Sequence, residues 1–360
     1  MNRRKTRQIK VGTVAVGGDS PVSVQSMTNT STADVKSTVE QVRALVAAGC
    51  EVVRVAVPDM DAAKALGAIV SGITIPLIAD VHFDWRLALK AVDEGVHGLR
   101  LNPGNIGSKD RIKEVVKAAK ERGVPIRIGV NAGSLEKDIL SKHGHPTAEA
   151  LTESAMRHIR ILEDMDFREI KVSLKASSVP LTVDSYRMLS AMVDYPLHIG
   201  VTEAGTLFAG SVKSSVGLGV LLAEGIGDTL RVSLTGDPVD EVRVGWEILK
   251  ALELIKRGVN IISCPTCGRI KFDSARIATE VERRLSHITE PVNVAIMGCV
   301  VNGPGEAVEA DVGIAGGDGV GLIYVHGNAV RKVREEDMVD ALIEEVSRIV
   351  EERGGKAARQ

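Results

Sequence analysis

Residues 51–104 read EVVRVAVPDMDAAKALGAIVSGITIPLIADVHFDWRLALKAVDEGVHGLRLNPG. Three short runs rich in Val, Ile and Leu, Glu51–Val57, Pro76–His82 and Gly98–Gly104, alternate there with longer stretches. One of these, Trp85–Glu94, carries apolar residues at helical spacing and ends just before Gly95. Such an alternation predicts parallel strands joined by crossover helices. A glycine after a helix suits the left-handed residue that stops it, and Gly49 and Gly123 stand in the same place. The pattern runs outward in both directions. Further strands are predicted at Val22–Met27, Ile126–Asn131, Glu169–Ala176, Leu197–Val201 and Thr229–Leu234. Helices are predicted at Ala33–Ala48, Lys109–Arg122, Thr147–Met165 and Ser211–Glu224, with Val239–Ile255 closing the series. Eight strand–helix units in about 255 residues fit an α/β fold of the closed (β/α)8 TIM-barrel kind better than an open doubly wound sheet. Ile9–Gly18, ahead of the first strand, reads as a short hairpin plugging the bottom of that barrel.

The alternation breaks after Arg257. There follow GVNIISCPTCGR, a helix at about Ser274–Ser286, the stretch NVAIMGCVVNGPGE, a glycine-rich segment ADVGIAGGDGVGLIYVHG and a charged helix at about Glu335–Arg353. This is α+β in character. The chain is therefore expected to hold a barrel domain over residues 1–256 and a smaller domain over residues 257–360. The last residues, GGKAARQ, are expected to fray.

Composition narrows the function classes. The formal net charge is −2, which gives no overall pull toward nucleic acid or anionic membrane. Aromatic residues make up only 2%, too few for a base-stacking surface. No apolar run reaches about 18 residues and no apolar stretch follows the basic MNRRKTRQIK, so neither a membrane span nor a signal peptide is expected. Four cysteines are too few for a disulfide scaffold at this length. A cytoplasmic protein with reduced thiols is the expectation.

Active sites of such barrels lie at the C-terminal ends of the strands. Those ends carry Arg54, Asp80, His82, Arg100, Asn102, Arg127, Asn131, Ser173, Lys175, His198, Thr202, Glu203, Arg231, Ser233 and Thr235. Side chains two apart on a strand share a face. Five cations, Arg54, Arg100, Arg127, Lys175 and Arg231, would thus converge from five strands on one opening. Cations inside a barrel are costly unless paired or hydrated, by Asp80 or Glu203 for example. Arginine forks and lysine suit phosphate oxygens. A small anionic substrate with more than one phosphate is the inference. Rossmann and P-loop nucleotide motifs are absent.

Cys264-Pro-Thr-Cys267 is a C-x-x-C pair, and Cys299 follows the apolar run Val292–Met297. Glu306 comes after Asn302-Gly303-Pro304-Gly305, a sequence expected to turn sharply and bring Glu306 to face what Cys299 faces. Three readings stay open. A zinc site needs four closed ligands, and Cys50, at the far end of a barrel strand, is poorly placed to be one. A redox dithiol would leave Cys299 unexplained. A [4Fe–4S] cluster would use three thiolates and leave one iron to an oxygen ligand such as Glu306.

The segments VQSMTNT, VRVAVP, ADVHFDWRLAL, LRLNPGNIG, RIGVNAGSLEKD, ESAMRH, KVSLKAS, TEAG, GIGDTLRVSLTGDP, CPTCGR and GCVVNGPGEA together resemble the bacterial 4-hydroxy-3-methylbut-2-enyl diphosphate synthase family. The resemblance runs in order from about Arg4 to Gly327. It implies a two-electron reductive ring opening of 2-C-methyl-D-erythritol 2,4-cyclodiphosphate in non-mevalonate isoprenoid synthesis. It implies a [4Fe–4S] cluster on Cys264, Cys267, Cys299 and Glu306, and a barrel mouth that binds the cyclic diphosphate through Arg54, Arg100, Arg127, Asn131, Lys175 and Ser233. Thr202 and Arg231 join that substrate-binding set. Glu203 of TEAG is the candidate acid, and Glu306 joins it as a catalytic candidate. The resemblance further implies flavodoxin or ferredoxin as electron donor, and a homodimer whose active site lies between the barrel of one chain and the cluster domain of the other. Thr206, Leu207 and Phe208, after TEAG, depart from the glycine, alanine or arginine common in that family. The alternative is a non-redox, phosphate-binding TIM-barrel transferase, of the kind that condenses pterins, with a structural zinc domain.

Overall fold

A computed structural model describes residues 3–299, 301, 303–317 and 319–357. It divides into two units, Met1–Ile255 and Lys256–Gln360. The first opens with the hairpin β1 (Ile9–Val11) and β2 (Val14–Val16). Eight strand–helix units follow: β3 (Ser23–Met27), α1 (Val35–Ala47), β4 (Val52–Ala56), α2 (Met60–Gly72), β5 (Leu77–Asp80), α3 (Trp85–Asp93), β6 (Gly98–Arg100), α4 (Lys109–Arg122) and β7 (Ile126–Asn131). The series continues with α5 (Lys137–His143), α6 (Ala148–Glu163), β8 (Ile170–Lys175), α7 (Val179–Met192), β9 (His198–Ile199), α8 (Leu207–Ala223), β10 (Thr229–Leu230) and α9 (Pro238–Ala251).

The eight strands pair in the order β8-β7-β6-β5-β4-β3-β10-β9, and the ladders joining β3 to β10 and to the β4–β8 run are parallel. A parallel bridge from Val172 to Leu197 joins β8 to β9 and closes the barrel. Alternation does the sorting. Val53, Val55, Leu77, Ala79, Leu99, Ile126, Ile128, Val172 and Leu174 pack in the large core shared with the helices. The opposite face points inward. At the closed end Val52 and Ile78 pack with Ile9, Val11 and Val16, so the hairpin plugs the bottom as expected. Side-chain oxygens of Asp34, Asp59, Asp84, Thr147, Ser178 and Asp237 cap six of the helices, each worth about 1 kcal/mol. Gly49, Gly95 and Gly123 sit at φ of 97°, 82° and 65°, where a side chain would be strained.

The strands are shorter than the apolar runs suggest. The run Gly98–Gly104 keeps only three strand residues, because the Asn102 side chain takes over from the ladder. Its Nδ2 donates to the Gly129 carbonyl at 3.0 Å and its Oδ1 accepts from the Gly129 N–H at 2.9 Å. Pro103 then starts a short 3-10 turn. The helix α5 has no counterpart among the expected elements.

The second unit holds β11 (Val259–Ser263), α10 (Ser274–Leu285), β12 (Val292–Met297), α11 (Gly303–Glu309), β13 (Val312–Gly317), β14 (Val320–Val325), β15 (Asn328–Arg334) and α12 (Met338–Ala357). Its sheet runs β11-β12-β13-β14-β15, parallel over the first three strands and antiparallel over the last three. Helices α10 and α12 supply Ile277, Val281, Leu342 and Val346 to one core with Val294, Ile314 and Ile323. The glycine-rich segment forms two paired strands. Gly313, Gly316 and Gly321 leave no room for side chains there: a Cβ on Gly316 would lie 2.0 Å from Phe272. Residues 302, 318 and 358–360 lie outside the described residues, and with them part of the expected turn and of the fraying tail. The rest of that turn is the first turn of α11, with Pro304 where a helix start tolerates it. Among the described residues no helix is long and apolar enough to cross a membrane.

Candidate active site

At the C-terminal end of the barrel the inward face is charged. Asp80 on β5 is its hub. Its carboxylate lies 3.4 Å from Arg54 Nε and 3.2 Å from Arg100 Nη1, and His82 approaches it at 3.3 Å. Arg100 also donates to the Gly129 carbonyl at 2.9 Å and meets a His82 ring nitrogen at 2.9 Å. Arg127 donates to Ser173 Oγ at 3.0 Å. Arg54, Arg100, Arg127 and Lys175 are all buried. Burial alone would raise the Asp80 carboxyl; Arg54, the His82 hydrogen bond, Arg100 and Arg127 outweigh it and hold it well below the usual carboxylate range. Burial lowers Arg54 to about 10, and burial with neighbouring cations pushes Arg127 and Lys175 well below their ordinary values.

Arg231 stands differently. Its guanidinium forks onto Glu241 of α9, at 2.9 and 3.1 Å, and Glu241 also accepts from Ser26 Oγ at 3.0 Å and from the Leu234 N–H at 3.1 Å. Asn131 pairs with Lys175 across β7 and β8. Thr202 and Ser233 are half-buried beyond β9 and β10. Glu203 is exposed and forms no ion pair among the described residues, so the internal partners of the mouth cations are Asp80 and Glu241. Its φ of 52° is strained for a residue with a side chain.

Two inward residues escaped the sequence reading. Lys171 is buried on β8, four residues before Lys175 on the same face. The alternation Lys171, Ser173, Lys175 was the signal that would have found it. Glu241 gave no such signal, because it comes from a helix.

In the second unit the three cysteines lie in the loops that follow two neighbouring parallel strands. Cys264 follows β11 and Cys299 follows β12, and these strands pair in register up to Ser263 and Ile296. The Cys264 N–H donates to the Ile296 carbonyl at 3.3 Å, and the Gly298 N–H donates to Cys264 Sγ at 3.2 Å. The loop bearing Cys267 returns through Lys271, whose N–H donates to the Gly298 carbonyl at 2.8 Å. Cys267 is exposed, and hydrogen bonds from the Arg269 backbone and guanidinium hold its thiol below the ordinary value. Glu306 is exposed in the first turn of α11. Among the described residues no three His, Cys, Asp or Glu side chains stand at the spacing of a metal site. The donor chemistry still fits a thiophilic group: three cysteines outside any disulfide in the loops at one sheet end, one with its thiol pKa lowered and one accepting a backbone N–H. Cys50 stands apart in the barrel unit, buried, its thiol pushed up to about 12 by that burial.

Two family models match this chain. One, described as the GcpE TIM-barrel domain, covers residues 6–246, and the other, the GcpE protein C-terminal domain, covers residues 260–348. The chain belongs to the GcpE family of 4-hydroxy-3-methylbut-2-en-1-yl diphosphate synthases. A Geobacter sulfurreducens protein named 4-hydroxy-3-methylbut-2-en-1-yl diphosphate synthase (flavodoxin) is 65% identical over 98% of this chain and 99% of its own length. Proteins of the same name from Symbiobacterium thermophilum and Clostridium acetobutylicum are 60% and 59% identical over 96% of this chain, and over 93% and 99% of their own. GcpE family membership makes the chain an enzyme and gives the pterin-condensing alternative no support.

Proposed function

We propose that the chain reduces 2-C-methyl-D-erythritol 2,4-cyclodiphosphate to (E)-4-hydroxy-3-methylbut-2-enyl diphosphate, with flavodoxin as electron donor. One observation carries the reading: four buried cations from four strands, Arg54, Arg100, Arg127 and Lys175, line one barrel mouth of this family, and among the described residues only Arg54 and Arg100 pair with a carboxylate there, that of Asp80. Such a mouth is short of negative charge, and a diphosphate supplies it.

In the proposed reaction two electrons enter, the C–O bond to one phosphate and the C–OH bond break, and a C=C bond forms. One proton carries the hydroxyl away as water, and the freed phosphate oxygen keeps its negative charge. Arg54, Arg100, Arg127 and Lys175 hold the diphosphate, with Asn131, Thr202, Arg231 and Ser233 around it, so the reacting carbons are positioned before electrons arrive. Glu203 is assigned the proton that leaves with the hydroxyl. Cys264, Cys267, Cys299 and Glu306 would hold a [4Fe–4S] cluster, which when bound supplies single electrons and a Lewis-acidic iron at the position Glu306 covers. The homodimer implied by the family resemblance belongs to the same proposal.

The test is anaerobic purification followed by turnover with reduced flavodoxin. About four irons per chain and ring-opened product are expected. One tight zinc without iron, or no turnover of the cyclic diphosphate by iron-loaded protein, would overturn the reading.

A further inference from the structure

Register exposes a row that the mouth residues only begin. Asp80 pairs with Arg100, Arg100 with Arg127, and Arg127 with Lys171, across the four neighbouring strands β5 to β8. All four side chains point inward and are buried. The row starts with a carboxylate and ends with a lysine that has no counter-ion among the described residues. Lys171 Nζ, Arg127 Nε and both ring nitrogens of His198 are buried without a hydrogen-bond partner among the described residues.

The charges do not balance. Among the described residues six basic side chains, Arg54, Arg100, Arg127, Lys171, Lys175 and Arg231, share two inward carboxylates, Asp80 and Glu241. Asp80 is taken by Arg54 and Arg100, and Glu241 by Arg231. The groups around Lys171 are Arg127 on β7, Arg54 on β4, Lys175 on its own strand, His198 on β9, Arg100 on β6 and Asp80 on β5, with the neutral Tyr186 hydroxyl of α7 donating to the His198 carbonyl at 2.6 Å. Arginine does not release its proton in the working range, so relief falls on the lysines.

We propose that Lys171 forms the floor of the anion site and is an uncharged amine until the diphosphate arrives, so that substrate binding draws a proton into the barrel. This rests on the proposed substrate. Burial first, then Arg127 and Arg54, lower Lys171 to about 7, which leaves it mostly neutral in mildly alkaline solution. An anion against Arg127 restores the charged form. The amine gains one N–H bond to a proton taken from solvent, and no other bond changes. Each phosphorus of the cyclic diphosphate carries one ester and one anhydride link, so its single acidic proton is already lost near neutrality and uptake reports on the protein.

The experiment is anaerobic calorimetry of the full chain binding the cyclic diphosphate without reductant, in buffers of different ionisation enthalpy. At pH 8.5 the wild type is expected to take up at least about one proton per ligand bound. Lys171→Met should take up about one proton fewer, and bind about tenfold more weakly. Lys171→Arg keeps the charge but has no proton to gain, so it should bind well and show the same missing proton. At pH 6, below the free amine's value, the proton uptake of wild type and both variants should converge. A wild-type binding heat that is independent of buffer would overturn the proposal, as would equal uptake in wild type and Lys171→Arg. No binding of the cyclic diphosphate at all would overturn the substrate reading and this inference together, whereas binding without uptake overturns only the inference.

Discussion

Asp80 shows how one residue organises the mouth. It holds two arginines and a histidine, and they hold its proton off. Its folded value lies below the unfolded one, near 3.9, so its stabilisation is fully present above about pH 4 and is lost as pH falls further. The urea midpoint of the wild type should therefore fall more steeply from pH 5 to pH 3 than that of Asp80→Asn; parallel curves would remove Asp80 from this role. Glu203 offers the converse case. Its left-handed φ costs on the order of 1 kcal/mol with a side chain and little with glycine. Glu203→Gly should raise the thermal midpoint yet lower kcat by about a hundredfold, at similar KM. A variant with undiminished kcat would leave Glu203 without its proton-donor assignment. Most of the mouth was legible at this scale, because strand alternation alone brings Arg54, Arg100, Arg127 and Lys175 to one face. What hid was pairing. Glu241 reaches the barrel from a helix, and nothing in its neighbourhood of sequence points to Arg231.

At the scale of elements, the barrel could be read because each strand is an apolar run and each helix starts on a capping oxygen or stops on a glycine. The second unit was harder for a physical reason. Five glycines between Gly313 and Gly321 erase the alternation by which a strand is recognised, yet β13 and β14 pair over six positions. Gly313, Gly316 and Gly321 are small because neighbouring groups press on them. A Cβ on Gly313 would lie 2.5 Å from the Ala307 carbonyl oxygen and 2.7 Å from Ala307 Cα, both backbone atoms of α11. Gly313→Ala must therefore displace α11, and Glu306 with it. The expected result is a loss of about 1–3 kcal/mol from the second unit, together with lower iron retention in anaerobically prepared protein. Iron content matching the wild type would mean that the position of α11 is irrelevant to metal retention, and Glu306 would leave the ligand set.

At the scale of the whole molecule, the chain separates its proposed tasks. The barrel unit carries the anion-binding cations, and the second unit carries the three cysteines and Glu306. The family resemblance implies that the halves of one active site come from two chains, and that claim has a sharp consequence. Arg54→Met removes a buried cation from one unit, and Cys299→Ser removes a thiolate from the other. Each variant alone should be inactive for turnover. Co-expressed and randomly paired, half of the dimers would be mixed, and each mixed dimer would pair the intact barrel of one chain with the intact cysteine unit of the other at one of its two sites. About a quarter of wild-type activity should then return. If each chain instead serves its own barrel, every site in the mixture keeps one lesion and activity stays near zero. Gel filtration of the mixture confirms that dimers have formed, so absence of recovery in a dimeric sample would assign the site to a single chain.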